Sequence, residues 1–194
     1  MHREWITAVC LGLGLSASCG FRVFVPMLVA SVAGKLGYLP LHDEFLWLSS
    51  WPAIICFASA SFFEILAYYI PFFDNFLDSI TTPLAILAGT VMATSILPVD
   101  QDLWKWVSGF IIGGGSAATV QTGMGFLRLM SSKTSAGMGN KYLATGENAA
   151  SFSTPILSML MPFTIGILTI ALVIVIITML FRTAARNNKN NNKY

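Results

Sequence analysis

Long apolar runs separated by short polar connections dominate the chain. Residues 45–63, 80–99, 106–127 and 149–181 carry no charged side chain. Each run provides the roughly 20 residues that an α-helix needs to cross a bilayer. The pattern therefore predicts an all-α fold, a polytopic bundle of transmembrane helices with five or six membrane segments.

The first apolar run, residues 5–34, does not match the length of a single span. It is 30 residues long and contains one charge, Arg22. That length is too great for one upright helix and too small for two complete spans. Two arrangements fit it: a long tilted helix with a kink, or a re-entrant pair of half-helices. In either case we expect the interruption near Gly20 and Pro26.

Two Thr-Pro pairs predict helix starts, because threonine is a common N-cap and proline fits the first helical position. The pairs are Thr82-Pro83 and Thr154-Pro155, and the six residues 79–84 match residues 151–156 position by position in type. The short stretch 14–17 resembles 114–117 in the same order. These matches predict a degenerate inverted repeat with broken or re-entrant helices, repeat 1 covering about 5–98 and repeat 2 about 103–181. The alternative is coincidence between short apolar segments.

Composition places residues 1–181 in a single integral membrane domain. Hydrophobic residues make up 55% of the chain and charged residues 10%, against roughly 25% charged in an ordinary soluble domain. The mean hydropathy is +0.71. The net charge of +2 gives no sign of nucleic-acid binding, so the partner predicted is the lipid bilayer. The basic, Asn-rich residues 182–194 predict a disordered tail on the cytoplasmic side.

Three acids between the second and third long runs are the first candidates for function. Glu64 ends one apolar run, and Asp74 and Asp78 are spaced to share one face of a helix. Acids beside bilayer-spanning segments are costly unless they face a cavity, a partner or the interface. In the functional interpretation Glu64 loads a proton or binds a cation, Arg22 is its ion-pair partner, and the two aspartates form an entry site. The alternative is a structural Arg22–Glu64 pair beside a solvated turn.

Two further charged residues, Arg128 and Glu147, flank the polar loop between the fourth run and the fifth. Arg128 and the loop lysines are placed to meet anionic headgroups, and Glu147 suits the start of a helix. The sequence contains no nucleophile motif and no metal-ligand spacing of its two histidines and three cysteines. We therefore predict no catalytic residues, no metal and no cofactor, and a protein that is not an enzyme.

Small residues recur at four-residue spacing in two places, which allows helices to approach closely. One face carries Gly12, Ser16 and Gly20, and the other carries Gly109 and Gly113. These faces are the predicted contacts of a possible homo-oligomer.

Several motifs point to a known family. They are G-x-R-x-F-x-P at residues 20–26, E-x-x-A-x-x-x-P-x-x-D-x-x-x-D at 64–78, L-A-G at 87–89, and Gly139-Asn140 and Glu147-Asn148 after the glycine-rich segment that ends in Arg128. In these features the chain resembles a bacterial membrane-protein family known as domain of unknown function 4126. Many members carry Asp-Lys, His, Lys and a second acid where this chain has Tyr68-Tyr69, Gln121, Met124 and Asn148. The resemblance implies a multi-pass protein of the bacterial cytoplasmic (inner) membrane without an assigned role.

Together these observations predict a small transporter or channel-like protein for an ion or small polar solute. The alternatives are a non-transporting scaffold or assembly factor, and a lipid-handling protein with a groove that opens sideways beside Arg128 and Lys133. A transporter requires a polar path to Glu64. A scaffold instead requires Glu64 to be buried against Arg22, with the small-residue faces exposed to a partner.

Overall fold

The computed structural model describes the backbone of residues 2–67, 71–135 and 139–191, and their side chains except at residues 2, 71–79, 134–135 and 184–191. All regular secondary structure in these ranges is helical, which confirms the predicted all-α class. In chain order the elements are α1 (His2–Ser18), α2 (Phe24–Lys35), a 3₁₀ segment (Asp43–Ser49), α3 (Trp51–Ala67), α4 (Pro71–Thr94), α5 (Asp102–Gly109), a π-helical turn (Phe110–Gly114), α6 (Gly115–Ser135), α7 (Asn140–Leu160) and α8 (Pro162–Asn191).

One described helix is long and apolar enough to cross a membrane by itself, the stretch Pro162–Thr183 of α8. A second candidate is the 3₁₀ segment together with α3, which are bent by 57° relative to each other. The apolar stretches Phe24–Lys35 and Ile80–Thr94 are shorter. The predicted number of five or six membrane segments stays a prediction.

The first apolar run folds as a hairpin of two helices. Arg3 and Thr7 of α1 line one pocket together with His42 and Ile96, which follow α2 and α4. The backbone N–H of His42 also donates to the Ser95 carbonyl at 3.0 Å. The start of α1 and the end of α2 therefore lie at the same end of the bundle, and residues 19–23 form the turn between the two helices.

Gly20 lies in this turn, and Pro26 occupies the third position of α2. A Cβ atom on Gly20 would lie 2.5 Å from the Ala117 carbonyl oxygen and 2.6 Å from the Val120 Cβ. Glycine thus allows the turn to press against α6. Pro26 is tolerated because N–H groups in the first helical turn have no intrahelical partner.

The two Thr-Pro pairs do not begin helices. Pro83 lies inside α4 and Pro155 inside α7, so the predicted helix starts at Thr82 and Thr154 are wrong. A proline inside a helix removes one hydrogen bond, whereas ending the helix there would leave several backbone groups without partners in an apolar environment. The continuous helix is therefore favoured over the local capping signal.

Small residues bring α4 close to the helix formed by α5, the π-helical turn and α6. A Cβ on Gly113 would lie 2.6 Å from the Ala93 Cβ, and a Cβ on Gly89 would lie 2.7 Å from the Ala117 Cβ. The Ser16 hydroxyl of α1 donates to the Gly89 carbonyl at 2.9 Å. Both predicted small-residue faces are thus filled by the chain's own helices, which leaves neither free for a second copy.

The segments that carry the matched motifs run in the same direction. α1 and α5–α6 are parallel. Near their starts, Trp5 and Trp104 line the same pocket. About 15 residues later in both segments, Gly20 contacts Val120. α4 and α7 both run antiparallel to α1. Ile96, just after α4, lines a pocket with Thr7 near the start of α1. The earlier residue Gly89 of α4 contacts Ser16, which comes later in α1.

For α7, Asn148 hydrogen-bonds Arg22, and the later Ser158 packs against the earlier Gly14. The segments that carry the matched motifs are therefore parallel in pairs, whereas the predicted inverted repeat requires them to be antiparallel. The reason is that α2 returns the chain to the end where α1 began, so α3 runs in the same direction as α1 and α4 in the opposite direction.

α8 continues to Asn191, so residues 182–191 are helical where the sequence predicts a disordered tail, and residues 192–194 of that tail lie outside the described residues. The helix propagates from the apolar stretch through Ala184, Ala185 and Arg186, which are good helix formers.

Two neighbouring glycines allow a test of the close packing of α4. We expect Gly113→Ala to lower the free energy of unfolding by about 1–3 kcal/mol, because its methyl group collides with α4. A Cβ at Gly115 would meet nothing within 4 Å, so Gly115→Ala should be neutral or stabilise by up to about 1 kcal/mol. Unfolding of the purified variants in mixed micelles measures both; equal stability would contradict the packing.

Candidate functional site

Three buried charged side chains from different segments meet at the turn of the first hairpin. Arg22 lies in the turn, Arg128 in α6 and Glu147 in α7, and each residue is at most 5% exposed. Arg128 Nε donates to Glu147 Oε1 at 3.1 Å, and its Nη2 donates to Oε2. Arg22 Nη2 lies 3.5 Å from the same Oε2. One carboxylate therefore bridges two guanidinium groups, an arrangement named here the Arg22–Glu147–Arg128 cluster.

Arg22 also makes two hydrogen bonds to α7 that involve no charged partner. Its Nε donates to Asn148 Oδ1 at 2.7 Å, and its Nη2 donates to the Ala144 carbonyl at 3.4 Å. Residues 144, 147 and 148 share one helix face because they are spaced by three and four positions. Arg22 thus fixes the turn against that face of α7.

Glu64 holds the same turn from the opposite side. Its side chain extends from α3, where the residue is 5% exposed. Oε1 accepts a hydrogen bond from the Val23 N–H at 2.7 Å, and Oε2 accepts one from the Phe24 N–H at 3.0 Å. These N–H groups open α2 and lack intrahelical partners, and a negative charge is favourable at this end of a helix. Glu64 is therefore a cap for α2 supplied by another helix.

The predicted ion pair between Arg22 and Glu64 is not formed. The turn directs its N–H groups toward α3 and the Arg22 side chain toward α7, so the arginine pairs with Glu147 instead. Sequence reasoning missed this pairing because the two segments are far apart in the chain. Arg22 and Asn148, the neighbour of Glu147, are separated by 126 positions. The Glu147-Asn148 motif was the signal that could have indicated it.

The two other candidate acids, Asp74 and Asp78, lie in α4 and not in the segments that form the cluster. Their side chains lie outside the described residues, so the predicted entry site stays a prediction. Just beyond them, Gln121 Nε2 of α6 donates to Thr81 Oγ1 at 2.9 Å, and both residues are buried. A polar contact therefore links α4 to α6 beside Pro83.

A cavity of about 420 Å³ lies next to the Arg22–Glu147–Arg128 cluster, in which the side chains of Arg22 and Glu147 have no exposed surface. It lies near the start of α7, and Glu147 contributes to its wall. The other lining residues are Phe21, Met124, Gly139, Tyr142, Leu143 and Gly146. The volume is large enough for several water molecules or a small polar solute, since one water occupies about 30 Å³. Within the described residues there is no group of three or more His, Cys, Asp or Glu side chains placed to hold a metal ion.

Fold and site together define an all-α helical protein whose first apolar segment is broken at a buried charge cluster, and whose last helix is able to cross a membrane. The chain belongs to the family described as Domain of unknown function (DUF4126), whose model matches residues 9–182. This match confirms the resemblance seen in the sequence motifs and includes Arg22, Glu64, Arg128 and Glu147. No curated protein and no solved structure matches the chain.

Neutralising the bridging carboxylate tests the cluster. We expect Glu147→Gln to lower the free energy of unfolding by about 3–5 kcal/mol, because two buried guanidinium groups lose their counter-ion. The exposed loop residue Asp100 offers a matched acid-to-amide control, and Asp100→Asn should change stability by less than about 0.5 kcal/mol. Unfolding titrations in mixed micelles compare the two; a similarly small effect at both positions would contradict a buried bridge.

Glu64 allows a graded test of the helix cap. Glu64→Ala removes both acceptor oxygens and should destabilise the protein by about 1–2 kcal/mol. Glu64→Gln keeps one acceptor oxygen, so we expect an intermediate loss. Thermal unfolding of the three proteins gives the order, and an equal loss for Gln and Ala would argue against hydrogen bonding to the start of α2.

Proposed function

We propose that this chain is a multi-pass membrane protein with five or six membrane segments. α3, α4, α5–α6, α7 and α8 would cross the bilayer, and the α1–α2 hairpin would enter from one end. Large apolar side chains are exposed on helices throughout the bundle, among them Ile55, Phe63, Ile111, Leu168 and Ile174. An exposed apolar surface of this extent is typical of a lipid-facing surface and not of a soluble monomer.

The tryptophans support a membrane interface at the end where α1 begins. All five tryptophans are exposed there, Trp5, Trp47, Trp51, Trp104 and Trp106. Phe45 and Trp106 have ring centroids 5.9 Å apart, and the Lys35 ammonium lies 4.8 Å from the centroid of Trp51. Tryptophan is enriched at the headgroup level of membranes.

Charge supports an orientation in the cytoplasmic membrane. The tryptophan end exposes the basic residues Arg3 and Lys35, whereas Lys133, Lys141 and Arg182 are exposed toward the opposite end. By the positive-inside rule the latter end faces the cytoplasm. The basic residues after Arg182 follow from the same end.

We also propose that the two halves are a degenerate parallel repeat. Gly14 contacts Ser158, and its counterpart Gly114 lies against Ile86. Ser158 lies three positions after Pro155, and Ile86 lies three positions after the matched Pro83. Each half therefore makes the same contact with the other half. Reciprocal contacts are expected around a two-fold axis, and parallel repeats with an axis along the membrane normal occur in transporters.

Within this architecture we propose a transport or channel-like function for an ion or small polar solute, centred on the Arg22–Glu147–Arg128 cluster. The observation that carries the proposal is the burial of the cluster. Arg128 is seven residues from the end of α6 and Glu147 seven from the start of α7, about 10 Å along each helix. Charged residues at such depth are costly and mark substrate or ion pathways in membrane proteins.

The adjoining cavity suggests how the cluster would act. A cation that reaches Glu147 competes with the two arginines for its carboxylate, and an anion competes with Glu147 for the arginines. Either exchange weakens the contact between the turn at residues 19–23 and α7. That contact would then be the gate, with Glu64 keeping the start of α2 intact while the gate opens.

A second candidate function is lipid handling. An apolar groove of about 550 Å³ lies between α2 and α7, and Leu28, Val32, Phe152 and Leu160 are among its lining residues. Its position differs from the sequence-based expectation, which placed a groove beside Arg128 and Lys133. An acyl chain is the ligand that an apolar groove of this kind favours. A scaffold function through the small-residue faces has less support, because those faces pack within the chain.

Cysteine labelling tests whether the cavity is open to water. In a variant with Cys10, Cys19 and Cys56 replaced by alanine, we expect Met124→Cys in the cavity wall to react with a charged thiol reagent from the cytoplasmic side of the vesicles. The control is Leu168→Cys, which is exposed on α8 toward lipid and should stay unmodified. Equal labelling, or none at either position, would contradict a polar path to the cluster.

Flux measurements in liposomes test transport directly. Na⁺, K⁺, H⁺ and Cl⁻ are measured with ion-sensitive dyes, and glycerol and urea by osmotic shrinkage. We expect one of these probes to cross faster with the protein than without it. Met124→Trp should abolish that flux by filling the cavity, while the exposed control Leu168→Trp leaves it unchanged. Failure of every probe to exceed protein-free liposomes would overturn the proposal.

A further inference from the structure

The interface between α2 and α3 contains a row of polar side chains separate from the Arg22–Glu147–Arg128 cluster. The two helices pack antiparallel. At one end Glu64 of α3 binds the N–H groups that open α2. At the other end Gly34 of α2 lies against the hydroxyl of Ser49, which ends the 3₁₀ segment before α3. The interface therefore runs from the tryptophan end of the bundle to Glu64.

Three serine hydroxyls along this path have no hydrogen-bond partner in the described part of the chain. The oxygens of Ser31, Ser49 and Ser61 are all buried without a partner. Ser31 is 0% exposed and Ser61 is 3% exposed. By contrast, Ser59 on the outer face of α3 donates to the Ile55 carbonyl at 2.8 Å. Buried hydroxyl groups are normally hydrogen-bonded, and ordered water supplies the partner where protein does not.

These hydroxyls are staggered along the helix axes at intervals comparable to the span of one bridging water molecule. A helix rises about 1.5 Å per residue. Along α3, Ser61 therefore lies about 4.5 Å from Glu64. Along α2, Ser31 lies about 10.5 Å from Phe24, and Gly34 lies about 15 Å from Phe24. Successive steps from Glu64 toward Ser49 are therefore about 4.5 to 6 Å. One water that bridges two oxygens spans about 5.5 Å, twice the usual O–H···O distance.

We infer that the α2–α3 interface holds a file of internal water molecules that joins Ser49, Ser31 and Ser61 to the carboxylate of Glu64. The file hydrates Glu64 from the tryptophan end. It also provides a route by which that carboxylate exchanges protons without passing through the cavity at Glu147. This inference goes beyond the proposed function, because it assigns bound water and a second polar route to a different pair of helices.

Radiolytic footprinting of the intact protein in lipid nanodiscs tests the inference, because hydroxyl radicals formed from bound water oxidise the side chains beside it. Met27 of α2 and Phe57 of α3 belong to the buried apolar core, at 7% and 8% exposure. Met92 of α4 belongs to the same core and is 0% exposed. We expect Met27 and Phe57 to be oxidised several times faster than Met92. Oxidation of Met27 as slow as that of Met92 would overturn the inference.

Serine-to-alanine variants provide the second readout. If the hydroxyls bind water, the double variant Ser31→Ala/Ser61→Ala should lose most of the Met27 oxidation, and its Tm should fall by about 2–4 °C. Ser59→Ala is the matched control on the outer face of α3 and should change neither. A higher Tm in the double variant would mean that dry, unpaired hydroxyls had been removed, which would contradict a water file. None of these measurements depends on flux, so they are independent of the proposed transport.

Discussion

The carboxylate of Glu147 holds two buried guanidinium groups, and the arrangement of the first half of the chain depends on this contact. The break between α1 and α2 exposes backbone N–H groups and places Arg22 among apolar helices, which is unfavourable without polar partners. α7 supplies those partners on one side through Glu147, Asn148 and the Ala144 carbonyl. α3 supplies Glu64 on the other. Two arginines and two glutamates thus balance in charge around one turn.

The same contact explains why the chain can reverse direction inside an apolar bundle. Gly20 permits the turn to touch α6. Glu64 accepts hydrogen bonds from the backbone N–H groups at the end of the turn, and α7 provides partners for the Arg22 side chain. α2 then returns to the end where α1 began. This reversal makes the segments that carry the matched motifs parallel in pairs and places the tryptophans together at one end. One local interruption therefore determines the topology of the whole bundle.

Much of the helical pattern is predictable from the sequence, since uncharged runs and polar connections mark elements by length alone. The break near Gly20 and Pro26 also follows from length, because 30 residues fit neither one span nor two. The Thr-Pro motifs are misleading because a capping signal is local, whereas a helix among other helices is stabilised along its full length. Pairing of Arg22 with Glu147 cannot be deduced from spacing, since it depends on the path of the chain through the helices from α2 to α6. Glu64 is selected as a candidate because it ends an apolar run, but its role as a cap requires the position of α2.

The neutral residues at positions where the family resemblance implies charge fit the same account. Asn148 stands where many members carry a second acid, and it still accepts a hydrogen bond from Arg22. Gln121 stands where many carry histidine, and it donates to Thr81. Both neutral residues therefore make polar contacts between helices. In the proposed function, Glu147 is the acid that lies beside the cavity in the described part of the chain.

Amide exchange at the turn is the most direct test of the central claim, that buried polar contacts hold the break in the first segment. Nuclear magnetic resonance of the protein in lipid nanodiscs can follow the amides of Val23 and Phe24 individually. We expect both amides to exchange as slowly as amides in the middle of α4, and Glu64→Ala to accelerate their exchange by at least tenfold, about 1.4 kcal/mol. Exchange in the unmodified protein as fast as at Gln101, in the connection before α5, would contradict the account.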